Sequence, residues 1–193
     1  MPRRFLAIDT ASPAPSLAFG EKLVKLSGAA TEELPARVSE LLELAGATLA
    51  DVEGVAVLSG PGSFTGIRAG IAFGRGLARG RGVPFVLLGT FDVAARALGD
   101  LGLGDAALHL SALRGQVHVA IRRGPTLRID GAPRSAAEAS AEALELGLEV
   151  VDLGSRKLPL AGALAHLAGS GFEGGAGPAY GRPSAAEEKL GAA

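Results

Sequence analysis

The chain contains no cysteine, no tryptophan and only 4% aromatic residues among its 193. The absence of cysteine excludes disulfides, thiolate nucleophiles and cysteine-ligated metals. The formal net charge is -1, so an RNA contact would need a local basic patch or a partner. No run reaches the ~18 consecutive apolar residues of a membrane span, and the apolar stretch behind the N-terminal arginines is too short for a signal peptide. We therefore expect a soluble cytoplasmic protein.

Short apolar segments separated by glycine- and proline-containing turns predict an α/β protein. Three strands are expected at the start, as an antiparallel meander, followed by alternating helices and strands up to Leu98. The glycine-rich segment 99–105 predicts a linker, and a shorter set of strands and helices follows it. This order predicts two related α/β lobes: an N-terminal lobe over residues 1–98 and a smaller one over residues 99–193.

The loop Gly60-Pro-Gly-Ser-Phe-Thr-Gly66 comes between a predicted strand and a predicted helix. Its spacing and its lack of lysine exclude a Walker P-loop, although backbone N–H groups at the start of a helix can bind an anion. A helix cap by Ser63 or Thr65 explains the same residues equally well. The candidate anion-binding residues of this loop are Gly60, Gly62 and Ser63.

A second candidate anion site is the turn after the first strand, which carries Asp9, Thr10 and Ser12. Such a turn can wrap a phosphate with backbone N–H groups and hydroxyls, and its carboxylate can lie near a metal. From the residue types alone, the simpler interpretation is favoured: these side chains satisfy backbone groups of their own turn.

The helix predicted after the glycine-rich loop has small residues at every fourth position, and these lie on one face. They are Gly66, Gly70, Gly74 and Ala78. Each helical glycine costs roughly 0.5–1 kcal/mol relative to alanine, so repetition on one face indicates that another backbone lies very close. We expect this face, with Ile67 and Ile71 alongside, to dock a partner helix.

A basic stripe, Arg68, Arg75 and Arg79, runs beside that small-residue face. It is either a solvated flank of the helix or an edge of the partner surface, since arginine is enriched at interfaces.

No catalytic centre is visible in the sequence. The histidines His109, His118 and His166 form no H-x-x-x-H pair, so no preformed metal site is expected. An independent ATPase or kinase using Asp9 would need a second acid and an adenosine-binding loop, and neither can be named. A peptidase would need a metal pair or a nucleophilic triad.

Two motifs together resemble the TsaB (YeaZ) family: Leu6-Ala-Ile-Asp-Thr-Ala-Ser12 and Gly60-Pro-Gly-Ser-Phe-Thr-Gly-Ile-Arg-Ala-Gly70. The resemblance runs through roughly residues 4–98. The segment after Ser111 matches the family's D-A-R-x-G-E-V-Y only in part, since Ser111, Gln116 and His118 stand in place of Asp, Glu and Tyr. The ending Pro178-Ala-Tyr-Gly-Arg182 matches P-x-Y-x-R.

The resemblance implies an actin-like, Hsp70-like ATPase (ribonuclease H-like) fold with two related lobes, of which the second is small. It also implies a non-catalytic subunit of the machinery that makes threonylcarbamoyladenosine in tRNA. Its partner would be the catalytic protein TsaD, which transfers threonylcarbamoyl to N6 of the adenosine next to the anticodon. A TsaE-like ATPase is a further implied partner, and tRNA would be reached indirectly.

Pairing in this family uses helices of the first lobe, here roughly residues 34–47 and 66–80, and members alone form homodimers by a similar surface. No cofactor is certain, and any ATP or ADP binding would be weak or lie near the partner interface. The residues expected at the interface are Leu34, Val38, Leu41, Leu42, Gly66, Ile67, Gly70, Ile71, Gly74, Arg75 and Ala78.

Overall fold

A computed structural model describes residues 4–27 and 30–171, which form two five-stranded sheets and the helices that pack on them. The first sheet has the order β3-β2-β1-β4-β5. Its strands are β1 Phe5–Asp9, β2 Ser16–Phe19, β3 Lys22–Lys25, β4 Gly54–Leu58 and β5 Phe85–Leu88. Strands β1 to β3 form the predicted antiparallel meander, while β4 and β5 run parallel to β1.

The second sheet has the order β10-β6-β7-β8, and the two-residue strand β9 pairs with β7. Its strands are β6 Ala106–Ser111, β7 Gln116–Arg123, β8 Thr126–Ile129, β9 Arg134–Ser135 and β10 Glu149–Asp152. Strand β10 lies parallel to β6, whereas the other pairs are antiparallel.

Six helices lie in the described residues, with short 3-10 turns at Leu49–Asp51 and Leu113–Gly115. The helices are α1 Ala30–Leu44, α2 Phe64–Arg81, α3 Thr90–Asp100, α4 Ala136–Glu145, α5 Leu153–Arg156 and α6 Ala161–Gly169. Ser135 caps α4, because its hydroxyl accepts from the N–H of Glu138 in a capping box. The family match at Pro178-Ala-Tyr-Gly-Arg182 lies outside the described residues.

Strands β1, β2 and β4 of the first sheet are buried on both faces, and their successive side chains alternate between these faces. One face carries Leu6, Ile8 and Val57, which pack against α1 and α2. The opposite face carries Ala7, Ala18 and Ala56, which lie side by side on β1, β2 and β4. Their small side chains leave room for α6 to approach the sheet closely.

Helix α6 follows the second sheet in the chain but packs on the first. Its residues Ala161 and Leu164 belong to the same buried cluster as Ala7 and Ala56. That cluster also includes Leu108 of the second sheet. A division at 98/99 therefore does not separate two hydrophobic cores, because the end of the chain returns to the N-terminal sheet.

Helix α2 lies against the first sheet through its glycine face. A Cβ on Gly66 would collide with the carbonyl oxygen of Thr10, and one on Gly70 with the Thr10 hydroxyl. A Cβ on Gly74 would lie 2.6 Å from Val57 Cγ2. The glycines are therefore required by the approach of α2 to β1 and β4 of its own chain.

The expectation that this face docks a partner is wrong. The residues buried within the chain's own core are Gly66, Ile67, Gly70, Gly74 and Ala78. The spacing argument correctly indicated a close neighbouring backbone, but that backbone belongs to β1 and its turn. Of the α2 residues expected at the interface, Ile71 is half-buried and only Arg75 is exposed.

The apolar positions of α1 are internal for the same reason. Leu34, Val38, Leu41 and Leu42 are at most 4% exposed and pack against the first sheet. They are core residues, so their assignment to a partner surface is also wrong.

Substitution of two glycines of α2 by alanine should have opposite effects on stability. Gly70→Ala should lower the free energy of unfolding by about 2 kcal/mol, because its Cβ has no room beside Thr10. Gly76→Ala should raise it by about 0.5–1 kcal/mol, because a Cβ there meets no heavy atom within 4 Å and alanine favours the helix. Urea unfolding measures both, and equal effects of the two substitutions would contradict this account of the glycine face.

Candidate functional site

The turn after β1 is folded around the carboxylate of Asp9. The N–H groups of Ala11 and Ser12 donate to Asp9 Oδ1 at 3.1 and 2.9 Å, and the Ser12 hydroxyl donates to Oδ2 at 2.5 Å. Asp9 is fully buried, and Thr10 and Ser12 are also buried. The simpler sequence interpretation is confirmed for Asp9 and Ser12, whose side chains satisfy groups of their own turn, but not for Thr10, whose hydroxyl bonds to another loop.

The glycine-rich loop is interlocked with that turn. The Thr10 hydroxyl donates to the carbonyl of Gly66 at 2.7 Å, and the Ser63 N–H donates to the carbonyl of Ala11 at 2.9 Å. A Cβ on Gly62 would collide with the carbonyl oxygen of Ala11. The two candidate anion loops are thus bonded directly to each other.

Ser63 caps α2, because its hydroxyl accepts from the N–H of Gly66 at 3.2 Å. Gly60 has a φ of +100°, a conformation that favours glycine, and its carbonyl accepts from the N–H of Thr90 at 2.8 Å. The capping interpretation of the loop is therefore confirmed for Ser63, and anion binding by Gly60, Gly62 and Ser63 stays a prediction.

Asp9 also contacts the start of α6. Burial raises the pKa of its carboxyl from 3.8 to about 6, while hydrogen bonds from Ser12, Ala11 and the N–H of Leu160 act in the opposite direction. Leu160 is the N-cap residue of α6, where unpaired N–H groups favour a carboxylate. The Asp9 carboxylate thus links the turn after β1 to the helix that returns from the second sheet.

The raised pKa of Asp9 predicts that stability falls as the pH rises. Between pH 4 and pH 6 the unfolded chain loses the Asp9 proton while the folded chain retains it, so the free energy of unfolding should drop by roughly 3 kcal/mol. Above the folded pKa the contribution becomes constant.

Asp9→Asn removes this titration and preserves the size of the side chain. Urea unfolding from pH 4 to pH 8 should therefore show a flatter stability profile for Asp9→Asn than for the wild-type chain. Ser12→Ala serves as the control, because it removes a hydrogen bond but keeps the titrating group. Parallel profiles for wild type and Asp9→Asn would contradict the buried-carboxyl assignment.

The outward face of α2 carries a second set of small residues. Gly76 and Gly80 are exposed and have open space beside them. Together with Ala72 they border an open groove of about 390 Å³, whose other lining residues are Phe73, Leu77 and Arg81. Phe73 and Leu77 also pack on the core shared by α1 and α2, so the apolar base of the groove is held in place by that core.

Sequence reasoning missed this groove although its signal was present. Ala72, Gly76 and Gly80 have the same four-residue spacing as the buried glycines, displaced around the helix. The spacing alone does not indicate which of the two small-residue faces packs against the chain's own sheet. The deciding information is the position of Thr10 and Val57, which only the folded chain provides.

The three histidines lie on separate elements: His109 on β6, His118 on β7 and His166 on α6. Burial lowers the pKa of both His109 and His118. Within residues 4–27 and 30–171, no group of three or more His, Asp or Glu side chains is placed to hold a metal ion. No helix of the described residues is both long and apolar enough to cross a membrane.

Comparison with known proteins gives consistent matches. A family model described as "TsaD: tRNA N6-adenosine threonylcarbamoyltransferase" matches residues 26–166. An uncharacterized protein of Mycobacterium tuberculosis (strain ATCC 25618 / H37Rv) is 31% identical over 159 residues, 68% of this chain and 74% of that protein. The tRNA threonylcarbamoyladenosine biosynthesis protein TsaB of Escherichia coli K12 is 34% identical over 99 residues, 48% of this chain and 43% of that protein.

A solved structure from Pseudomonas aeruginosa, described as an uncharacterized protein with similarity to peptidase YEAZ, has a TM-score of 0.71 at 25% identity. The alignment covers 93% of this chain and 99% of that chain. The two sheets and their helices share the fold of that structure. With the sequence matches, this fold shows that the chain belongs to the TsaB (YeaZ) family, within the group of TsaD-related proteins.

Proposed function

We propose that the chain is a non-catalytic cytoplasmic subunit in the synthesis of threonylcarbamoyladenosine in tRNA. It pairs with a TsaD-like catalytic subunit that transfers threonylcarbamoyl to N6 of the adenosine next to the anticodon. A TsaE-like ATPase joins the same assembly, and tRNA is bound through the catalytic subunit. Without that partner, a second copy of the chain occupies the surface.

The observation that carries this proposal is the outward groove on α2. An exposed glycine inside a helix costs about 1 kcal/mol relative to alanine, and Gly76 and Gly80 have no internal contact that would require glycine. Both border an apolar groove, and small residues on a helix allow a second helix to approach closely. The pairing surface is therefore the groove, while the face first expected serves the chain's own core.

The Asp9 turn supports a non-catalytic role. In an independent ATPase or kinase, this turn would present its N–H groups and carboxylate to a phosphate. Here the N–H groups of Ala11 and Ser12 and both oxygens of the buried Asp9 are already paired within the turn. Wrapping a phosphate would require these bonds to break.

Gly76→Leu should abolish complex formation with the TsaD-like subunit while the chain remains folded. The leucine side chain projects into open space, so it does not disturb the core, but it fills the groove that a partner helix would enter. Affinity measured by calorimetry should fall by at least about 100-fold, as expected for the loss of a packed interface centre.

The matched control is Gly162→Leu, at an exposed glycine of α6 that also has open space beside it. It should bind like the wild-type chain. Equal binding by Gly76→Leu, with the fold verified by circular dichroism, would refute the groove as the pairing surface.

Asp9→Asn should still support tRNA modification. The asparagine keeps one oxygen acceptor for the turn N–H groups, although its NH2 group replaces the oxygen that accepts from the Ser12 hydroxyl. It lacks the charge that a metal-assisted phosphate reaction would use. Cells depleted of the wild-type protein and supplied with Asp9→Asn should regain threonylcarbamoyladenosine, measured by mass spectrometry of tRNA nucleosides. Loss of the modification by a folded variant that still binds its partner would assign chemistry to Asp9.

A further inference from the structure

The α2 segment carries four arginines and no acidic residue. Three of them, Arg68, Arg75 and Arg79, are exposed. On a helical projection drawn at 100° per residue, they lie within about 40° of one another. We call these three residues the arginine ridge. The ion pairs of the described part of the chain involve other arginines, so the ridge has no carboxylate partner there.

Two members of the ridge are positioned by aromatic rings. The Arg68 guanidinium lies 5.4 Å from the centroid of Phe64, and that of Arg75 lies 5.5 Å from the centroid of Phe85 on the edge strand β5. A cation–π contact leaves the N–H donors of a guanidinium free for an anion while restricting its side chain. The ridge is therefore partly ordered before any partner binds.

The arginine ridge borders the small-residue face of the groove. On the helical projection, Arg79 lies about 60° from Gly76, and Ala72 lies between them. A helix seated over Gly76 at the usual interaxial distance of roughly 8–10 Å would place one of its flanks within reach of the guanidinium groups. Uncompensated positive charge along that flank favours negative charge on the occupant.

We infer that the segment docked in the groove is a helix of the catalytic subunit that turns small or apolar residues towards Gly76 and a row of carboxylates towards the arginine ridge. This inference rests on the proposed function, because it takes the TsaD-like subunit as the occupant. A second copy of the chain, which takes the surface in the absence of that subunit, is the weaker occupant, because two α2 helices that met would oppose one arginine ridge to another and α2 offers no carboxylate. RNA phosphates could pair with arginines but would not require an apolar groove beside them.

The test uses the double charge reversal Arg75→Glu with Arg79→Glu, and the TsaD-like subunit as the probe. The dissociation constant should rise about 30-fold at ~0.05 M salt, and this difference should shrink several-fold at ~0.5 M salt, where surface charges are screened. The conservative pair Arg75→Lys with Arg79→Lys should stay within about 3-fold of wild type, because positive charge is kept.

The matched control is the reversal Arg114→Glu with Arg156→Glu, which changes the net charge equally at exposed positions of the second half of the chain. It should bind like the wild-type chain. Circular dichroism and the urea midpoint establish that each variant is folded.

The outcomes separate this inference from the proposed function. If the wild-type chain fails to bind the TsaD-like subunit at all, the proposed function itself fails. A second outcome is that the wild-type chain binds, Gly76→Leu does not bind, and the arginine reversal leaves both the affinity and its salt dependence unchanged. That result would refute the row of carboxylates on the partner helix and still support the groove as the docking surface. The inference is equally overturned if the reversal weakens only self-association, or only binding of a tRNA anticodon arm.

Discussion

The contact between α2 and the turn after β1 determines the shape of the N-terminal half. Helix α2 comes so near to Thr10 that Gly66 and Gly70 leave no space for a Cβ, and the Thr10 hydroxyl donates to the Gly66 carbonyl in the same contact. That approach fixes the position of the glycine-rich loop, of the Ser63 cap and of the outward side of α2. Every feature assigned to partner binding depends on it, because it decides which side of the helix faces solvent.

A single helix therefore carries two small-residue faces with different physical roles. Gly66, Gly70 and Gly74 contribute to stability by allowing close packing within the chain. Gly76 and Gly80 make no such contact, so they lower the intrinsic stability of the helix and no packing within the chain compensates for it. A residue that costs stability at an exposed position indicates an external function more strongly than one that the core explains, and this contrast selects the groove over the buried face.

Much of the fold could be predicted from the sequence, because strand alternation, turn residues and helix caps act locally. The meander of β1 to β3 and the Ser63 cap are examples. Which surface is free could not be predicted, since burial of Leu34 or Gly70 results from contacts between elements far apart in the chain. The return of α6 to the first sheet was missed for the same reason: the alanines that receive it are scattered over three strands.

The Asp9 carboxylate connects these observations. The acid accepts hydrogen bonds from its own turn and from the N–H of Leu160, so it joins the end of β1 to the start of α6 within the chain. Together with the close approach of α2 to Thr10, this contact fixes the outward face of α2, which is the surface that the proposed pairing uses.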